Sequence, residues 1–184
     1  MCEKLIPGTK IPYDSETGSF EYFVPLIRVT DGLTLSQVCT VTGLEPSTIQ
    51  NWVKREFLPR PVNKKYYERH LARILLINSM RDGMKIDRVG ELFKLINGNT
   101  EDESDDIISE VRLFDIFCSI VSKLSSDVYD DSIVRKTVRS QTHNGDVIDL
   151  DALLRLRQAL TVMVYAYTAG CYKKKCEEEF SKLP

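Results

Sequence analysis

The sequence predicts a mainly α-helical protein, and three observations support that fold class. Apolar residues recur every three or four positions through most of the chain beyond residue 33, which is the period of a helix with one buried side. Helix-start residues precede these stretches and glycines follow them, as at Thr34 and Gly43. The exception is residues 57–67, where two prolines fall among β-favouring residues and predict a small two-stranded wing.

The first two predicted helices form a pair joined by a tight turn. Thr34 opens the first helix with capping-box spacing, and Gly43 ends it. In the second helix Pro46 takes the first position, and Ser47 to Gln50 repeats the capping-box spacing. This order is that of a helix-turn-helix, whose second helix enters the major groove of DNA, although many helical hairpins with the same pattern bind nothing.

The second helix of this pair has two unlike faces. With 3.6 residues per turn, Ile49, Trp52 and Val53 share one side and predict its buried face. The other side carries polar and basic side chains, namely Ser47, Thr48, Gln50, Asn51, Lys54 and Arg55. Such a face offers hydrogen-bond donors, acceptors and positive charge to a partner outside the molecule.

Two further helices are predicted before residue 98, and they complete a division of the chain into three parts. Leu71, Ile74, Leu75 and Met80 predict the third helix, residues 81–84 a break, and residues 86–96 a fourth helix. We therefore predict an irregular N-terminal arm at 1–32, a winged helix-turn-helix domain at 33–98 and a helical C-terminal domain at 99–184.

Over roughly residues 33–96 the sequence resembles the winged helix-turn-helix domain of the MerR transcription regulators. The likeness rests on Thr34-Leu35-Ser36-Gln37-Val38, Ser47-Thr48-Ile49, Lys64-Lys65-Tyr66 and Arg81-Asp82-Gly83-Met84-Lys85-Ile86. A closer likeness is to a group of uncharacterised bacterial proteins that carry this domain and a helical C-terminal half. The resemblance implies a MerR-like fold and binding to duplex DNA.

The chain departs from the MerR pattern at several positions. Gln50 stands where an arginine is usual, and Asn51 and Trp52 replace an aromatic pair. Glu56 replaces a glycine, and Tyr67 replaces a capping serine. The resemblance therefore does not carry over the operator sequence, and Glu56 indicates that the second helix ends differently from the family's.

Charge is divided unevenly along the chain, although the overall net charge is only -2. Residues 33–97 carry eleven Lys and Arg against six Asp and Glu, whereas residues 98–184 carry eleven against sixteen. Seven of the positive residues cluster from the second predicted helix to the start of the third: Lys54, Arg55, Arg60, Lys64, Lys65, Arg69 and Arg73. This cluster predicts phosphate contacts, and the alternative is an ordinary solvated face.

These patterns predict a bacterial transcription regulator that binds double-stranded DNA in two layers. Gln50 and Asn51, with Lys54 or Arg55, are expected to read base edges beside Ser47 and Thr48. The residues expected to hold phosphates are Arg60, Lys64, Lys65, Tyr66 and Arg69. The alternative is a protein-interaction module that keeps the helix pair as a scaffold and does not bind DNA. Only DNA binding should weaken steeply as salt rises.

Three amphipathic helices are predicted in the C-terminal part, after an acidic segment at 99–106. They run from Ile107 to Leu124, from about Asp127 to Val138, and from near Asp149 towards Phe180. The last has a wide apolar stripe that includes Leu153, Leu154, Leu156, Leu160, Met163, Val164, Tyr167 and Cys171. We expect a homodimer through these helices, with a bundle closed within one chain as the alternative.

A small-molecule effector is a further option for the C-terminal part. The aromatic residues that could contact one are Phe114, Phe117, Tyr165 and Tyr167. Aromatic side chains at helical spacing are more often ordinary core residues, so the sequence identifies no effector.

No catalytic pattern is present, so the sequence predicts neither an enzyme nor a cofactor. The cysteines, Cys2, Cys39, Cys118, Cys171 and Cys176, lack the spacing of a disulfide framework, and with His70 and His143 they form no zinc motif. No apolar run approaches the roughly 18 to 20 residues that span a bilayer, and no signal peptide opens the chain. We therefore expect no membrane contact and a cytoplasmic location.

Overall fold

The computed structural model of the chain describes residues 5–12, 20–124, 130–142, 147 and 149–183. Three of the predictions above fall outside the described residues: the state of Cys2, the setting of His143, and the start of a helix at Asp127.

The described residues form a 3-10 turn at Phe20–Tyr22 and eight α-helices. The helices are α1 Val24–Val29, α2 Leu35–Thr42, α3 Pro46–Lys54, α4 Glu68–Met80, α5 Ile86–Asn97, α6 Glu110–Leu124, α7 Asp131–Gln141 and α8 Leu150–Phe180. A mainly α-helical fold is confirmed, and so is the break between α4 and α5.

The predicted ends of α2 form as the sequence indicates. The Thr34 N–H donates to Gln37 Oε1 at 2.8 Å, and the Gln37 N–H donates to Thr34 Oγ1 at 3.3 Å, which completes a capping box. Gly43 follows the helix in the left-handed conformation, with φ of 71°, and its N–H donates to the Cys39 carbonyl at 2.8 Å. The chain therefore turns sharply into α3.

The predicted two-stranded wing is wrong. Val62 and Lys65 exchange two backbone hydrogen bonds of 3.0 and 2.9 Å around a tight turn, but the described residues contain isolated bridges and no strand. The ladder stops because Arg60 and Tyr67, which would form its next hydrogen-bonded pair, bond elsewhere. The Arg60 N–H donates to Glu101 at 3.1 Å, and the Tyr67 N–H donates to His70 Nδ1 at 3.2 Å. Tyr66 exchanges two backbone bonds with Leu33, each at 2.8 Å. The segment is a hairpin turn fixed to the start of the helix pair.

Helix α4 is the centre of the molecule, and ten of its thirteen residues are buried. It packs on α2, α5, α6 and α8, while α5 and α7 also pack on α8. Helices from both predicted domains therefore share a single hydrophobic core.

The N-terminal arm contributes to this core rather than lying free of it. Phe20, Phe23 and Ile27 are buried, and the Phe20 ring meets Phe114 of α6 edge-on with 5.9 Å between ring centroids. The Phe20 N–H also donates to Asp115 of α6 at 2.7 Å. Where the sequence predicts an irregular arm, residues 20–29 thus form a 3-10 turn and a short helix, whereas residues 5–12 contain no helix and one isolated bridge, between Leu5 and Pro12.

The apolar stripe of α8 is covered differently from what the sequence predicts. Leu153, Leu160, Met163 and Val164 are all buried within the one chain, so they require no second subunit. They are covered because α4, α5, α6 and α7 all pack against this helix. Leu154 is the exception, since 47% of it remains exposed.

Candidate nucleic-acid interface

Helix α3 presents one buried and one exposed face, as its sequence predicts. Ile49 is 0% exposed and Trp52 is 4% exposed, which confirms the predicted phase of the helix. Ser47, Gln50, Asn51 and Lys54 are exposed on the other side, and Thr48 is half-buried. Pro46 occupies the first turn after Glu45, whose side chain forms no capping bond, so the predicted second capping box is absent.

The end of α3 is held by a left-handed residue that is not glycine. Glu56 has φ of 59°, the Phe57 N–H donates to the Trp52 carbonyl at 2.9 Å, and the Glu56 N–H donates to the Val53 carbonyl at 3.1 Å. These two bonds are those of a Schellman motif. The helix therefore ends by a usual motif, with a side chain in a conformation that favours glycine.

Three exposed cations lie at the end of α3 and in the segment that follows it in the chain. Lys54 lies at its end, Lys64 at the tip of the hairpin turn and Arg60 between them in sequence, and none forms an ion pair with another described residue. Arg55 is also exposed, but its guanidinium pairs with Asp87 of α5 and lies 4.6 Å from the centroid of the Phe57 ring. This side of the molecule therefore carries positive charge that is not neutralised by its neighbours.

Three other residues that the sequence places on phosphates are used inside the protein. The Lys65 ammonium donates to the carbonyls of Thr30 and Gly32 at 2.9 and 3.1 Å. Tyr66 is 4% exposed, and burial raises the pKa of its hydroxyl. Arg69 donates to Glu103 at 3.0 Å. Lys65 and Arg69 already have protein partners and Tyr66 is buried, so the candidate interface does not include these three residues.

A buried ion pair joins α4 to α6. Arg73 and Glu110 are each 1% exposed, their side chains are in direct contact, and the Arg73 Nε donates to the Phe57 carbonyl at 2.8 Å. The Arg73 guanidinium also lies 4.5 Å from the centroid of the Phe93 ring. The sequence places Arg73 in the basic cluster and does not reveal its part in this buried ion pair. The apolar residues on both sides of Arg73 in α4 were nevertheless a signal that it is buried.

Asp106 lies beside this pair and is unusually hard to ionise. Burial and the charge of Glu110 raise its pKa to about 7, although Arg69 and Arg73 act in the opposite direction. Its Oδ1, like Oε2 of Glu110, makes no hydrogen bond with a described residue. Close by in sequence to Arg69, His70 is 7% exposed, and burial lowers its pKa. Burial therefore shifts the pKa values of Asp106 and His70 in opposite directions, each towards its neutral form.

His70 is held as a neutral ring. Its Nδ1 accepts from the Tyr67 N–H at 3.2 Å, and its Nε2 lies 2.9 Å from the Arg60 carbonyl. Since the first contact requires a lone pair on Nδ1, the proton is on Nε2 and is donated to Arg60. His70 thus fixes the chain between the hairpin turn and α4.

A cleft of about 740 Å³ lies behind the end of α3, which the sequence did not indicate. Its lining residues come from α3 and the following segment, from α5 and from the loop after it: Val53, Glu56, Arg60, Lys94, Gly98, Asn99, Thr100 and Glu101. The Thr100 hydroxyl donates to the Glu56 carbonyl at 2.8 Å, and the Arg60 N–H donates to Glu101 at 3.1 Å. These bonds tie the loop after α5 to the end of α3.

Two kinds of feature are absent from the described part of the chain. It brings together no group of three or more His, Cys, Asp and Glu side chains suited to a metal ion. Among its helices, none has both the length and the apolar character that crossing a membrane requires.

Part of the chain is similar to a protein family of unknown function. The profile of the family described as "Domain of unknown function (DUF1836)" matches residues 28–117. The chain is also similar to "Uncharacterized protein YkrK" of Bacillus subtilis (strain 168), with 21% identity over 170 residues, which covers 86% of this chain and 72% of the relative. No solved structure matches.

The resemblance to MerR regulators is wrong. The matching family is one of unknown function, and the matching relative is uncharacterised. The described residues also lack the two strands that a winged domain of that family requires. The short motifs that suggested the likeness are those of a capped helix pair, which unrelated helical proteins can share.

Proposed function

We propose that this protein binds duplex DNA through α3. The observation that carries the proposal is the exposed face of that helix, where Ser47, Gln50, Asn51 and Lys54 lie opposite the buried Ile49 and Trp52. This helix is the second of a capped pair joined by a tight turn, the arrangement in which the second helix enters the major groove.

The chemistry of the exposed face suits recognition of base edges. The amides of Gln50 and Asn51 each carry a donor and an acceptor, and they can bond to N6 and N7 of adenine together. Lys54 is one turn further along the helix and can donate to O6 or N7 of guanine. Each well-formed contact of this kind discriminates between bases by about 1 to 3 kcal/mol.

Phosphate contacts would come from the exposed cations beside the helix. Lys64 projects from the hairpin turn, and Arg60 precedes that turn in the chain. The proposal leaves out Lys65 and Arg69 because their side chains bond within the protein, and it leaves out Tyr66 because that residue is buried. The proposed contact surface is therefore smaller than the sequence predicted.

The dependence of affinity on salt tests this phosphate layer. Binding of a fluorescent 30-base-pair duplex pool should be measured between about 50 and 300 mM salt for the parent and for Arg60→Ala/Lys64→Ala. Each phosphate contact contributes about -0.9 to the slope of log K against log salt. We expect the double variant to bind more weakly and its slope to be smaller in magnitude by about 2.

A matched control removes two positive charges elsewhere. Lys136 and Arg139 are exposed on α7, which packs on α6 and α8 rather than on the helix pair. Lys136→Ala/Arg139→Ala should leave the slope unchanged. Failure of the parent to bind duplex at 50 mM salt, or equal slopes for the two double variants, would refute the proposal and favour a protein-interaction module.

The proposal includes a homodimer formed through C-terminal helices. A two-fold dimer carries two copies of α3, and recognition helices one DNA turn apart, about 34 Å, match a palindromic site. Two linked contacts also raise the affinity far above that of one. The relative from Bacillus subtilis is uncharacterised, so its name assigns it no function.

A further inference from the structure

The last three turns of α8 extend beyond the body of the protein. Its final close approach is at Gly170, where an added Cβ would lie 3.2 Å from Asp82, and Lys174 reaches back to pair with Asp82 at 3.1 Å. From Tyr172 to Leu183 every residue is exposed. An isolated helical segment of this length is marginal in water, so most of its stability must come from packing.

The apolar residues of this extension form one line. Ala169, Tyr172, Cys176 and Phe180 follow one another within α8 at spacings of three or four residues, as in the seam of a coiled coil, and Leu183 lies just after the helix ends. Tyr172 is 43% exposed, Phe180 74% and Leu183 65%. We call these five residues the seam.

The seam is symmetric about its central residue. Ala169 and Leu183 stand seven residues before and after Cys176, and Tyr172 and Phe180 stand four residues before and after it. Two antiparallel copies related by a two-fold axis at Cys176 would therefore place the ring of Tyr172 opposite that of Phe180, and would bring the small Ala169 towards Leu183 beyond the end of the partner helix. Pairs of small with large residues and of two aromatic rings are favourable packing layers.

Charged residues flank the seam with the same symmetry. The sequence from 173 to 179 is three lysines, Cys176 and three glutamates. At 100° per residue, Lys173 and Glu177 lie on one flank of the seam, and Lys175 and Glu179 lie on the other. Glu179 pairs with Lys182, whereas Lys173, Lys175 and Glu177 form no ion pair with another described residue.

The direction of pairing decides how these charges meet. In an antiparallel pair the same flank of each helix faces its counterpart, so Lys173 meets Glu177 of the second copy and Lys175 meets Glu179 of the second copy. In a parallel pair opposite flanks meet, which brings Lys173 against Lys175 and Glu177 against Glu179. Charge therefore favours the antiparallel pair and opposes the parallel one.

We propose that the occupant of this surface is a second copy of the chain, bound antiparallel with the two-fold axis at Cys176. The helical part of the seam, from Ala169 to Phe180, spans eleven residue steps, about 17 Å, which gives a small interface and a dimer that dissociates on dilution. This inference specifies the dimer of the proposed function, and it stands whether or not the protein binds DNA.

Paired charge reversals in the full-length protein test the inference. Variant A carries Lys173→Glu and Lys175→Glu, and variant B carries Glu177→Lys and Glu179→Lys. The association constant of each protein should be measured by sedimentation equilibrium from about 1 to 200 μM. We expect the parent to dimerise, and A and B each to associate at least about tenfold more weakly, because every flanking pair becomes a like-charge pair.

An equimolar mixture of A and B should form a heterodimer about as strong as the parent dimer, since opposite charges meet again on both flanks. This recovery separates an interface from a role within one helix, because the like charges within each helix remain in the mixture. A monomeric parent at 200 μM, full self-association of A or B, or no recovery on mixing would overturn the inference. A monomer that still binds duplex would refute this dimer alone, and a dimer that binds no duplex would refute the proposed function alone.

Discussion

The ion pair of Arg73 and Glu110 gives the sharpest prediction about stability, because it joins α4 to α6 through two fully buried charges. Each residue is 1% exposed. Substitution Arg73→Met removes the cation and keeps much of the side-chain volume. It leaves the Glu110 carboxylate in the core without its counterion, and it leaves the Phe57 carbonyl without the donor that now lies at 2.8 Å.

The expected loss follows from these two consequences. Removing one partner of a buried ion pair costs about 3 to 5 kcal/mol, which is a large share of the roughly 5 to 15 kcal/mol that stabilises a typical domain. Replacing both charges, as in Arg73→Met/Glu110→Leu, leaves no isolated charge. The remaining defect is the Phe57 carbonyl, at about 1 to 3 kcal/mol, offset by new apolar contact. The double variant should therefore be more stable than either single variant.

Urea denaturation of the four proteins in the cycle measures this coupling. Trp52 is the only tryptophan and is 4% exposed, so its fluorescence reports loss of the core around α3, while circular dichroism reports the helices. We expect the sum of the stability losses of the two single variants to exceed the stability loss of the double variant by at least about 2 kcal/mol. If the losses simply add, the two side chains do not act as a buried pair and the reasoning is refuted.

Two further predictions concern residues near the candidate interface. Asp106 has its pKa raised to about 7, so the folded state binds the proton more tightly and stability should fall as pH rises from 5 to 8. Asp106→Asn should remove this fall in stability. Glu178→Gln, an exposed change of equal charge, should not remove it. Parallel pH profiles of stability for the parent and Asp106→Asn would contradict this prediction. Glu56→Gly should stabilise the protein by about 1 kcal/mol in urea denaturation, because glycine adopts the φ of 59° without strain. Glu56→Ala removes the same charge and should give no such gain, so equal effects of the two substitutions would exclude a backbone cause.

The helix pair could be predicted from the sequence because its signals are local. The bonds between Thr34 and Gln37 span three residues, and the left-handed Gly43 needs only its own backbone. The phase of α3 likewise follows from spacing alone, and the buried Ile49 and Trp52 confirm it. Such features depend little on distant parts of the chain.

The wing and the phosphate contacts could not be predicted because they depend on distant partners. Glu101 takes the backbone N–H of Arg60 from 41 residues away, which ends the predicted ladder. Thr30 and Gly32 take the ammonium of Lys65, and Glu110 takes the guanidinium of Arg73. A run of basic residues gives the same pattern in the sequence whether its charges face solvent or carboxylates of the same molecule.

How the apolar stripe of α8 is covered could not be predicted for a related reason. The sequence shows an apolar stripe wide enough for several neighbours, but it does not show how many of them the same chain provides. Leu153, Leu160 and Met163 are covered by other helices of the chain, and the exposed apolar residues Tyr172, Phe180 and Leu183 lie beyond Gly170. The residues that remain exposed became apparent only after the core had been assembled.

Selection of duplexes by α3 tests the central proposal most directly. The parent and Gln50→Ala should each be used to enrich binding sites from the same library of random duplexes at moderate salt. We predict that the parent enriches a defined sequence, and that Gln50→Ala enriches the same sequence with the preference relaxed at one or two neighbouring base pairs, since only the contact of that amide is removed. No enrichment by the parent, or an identical sequence for both proteins at every position, would contradict the assignment of α3 as the helix that reads DNA.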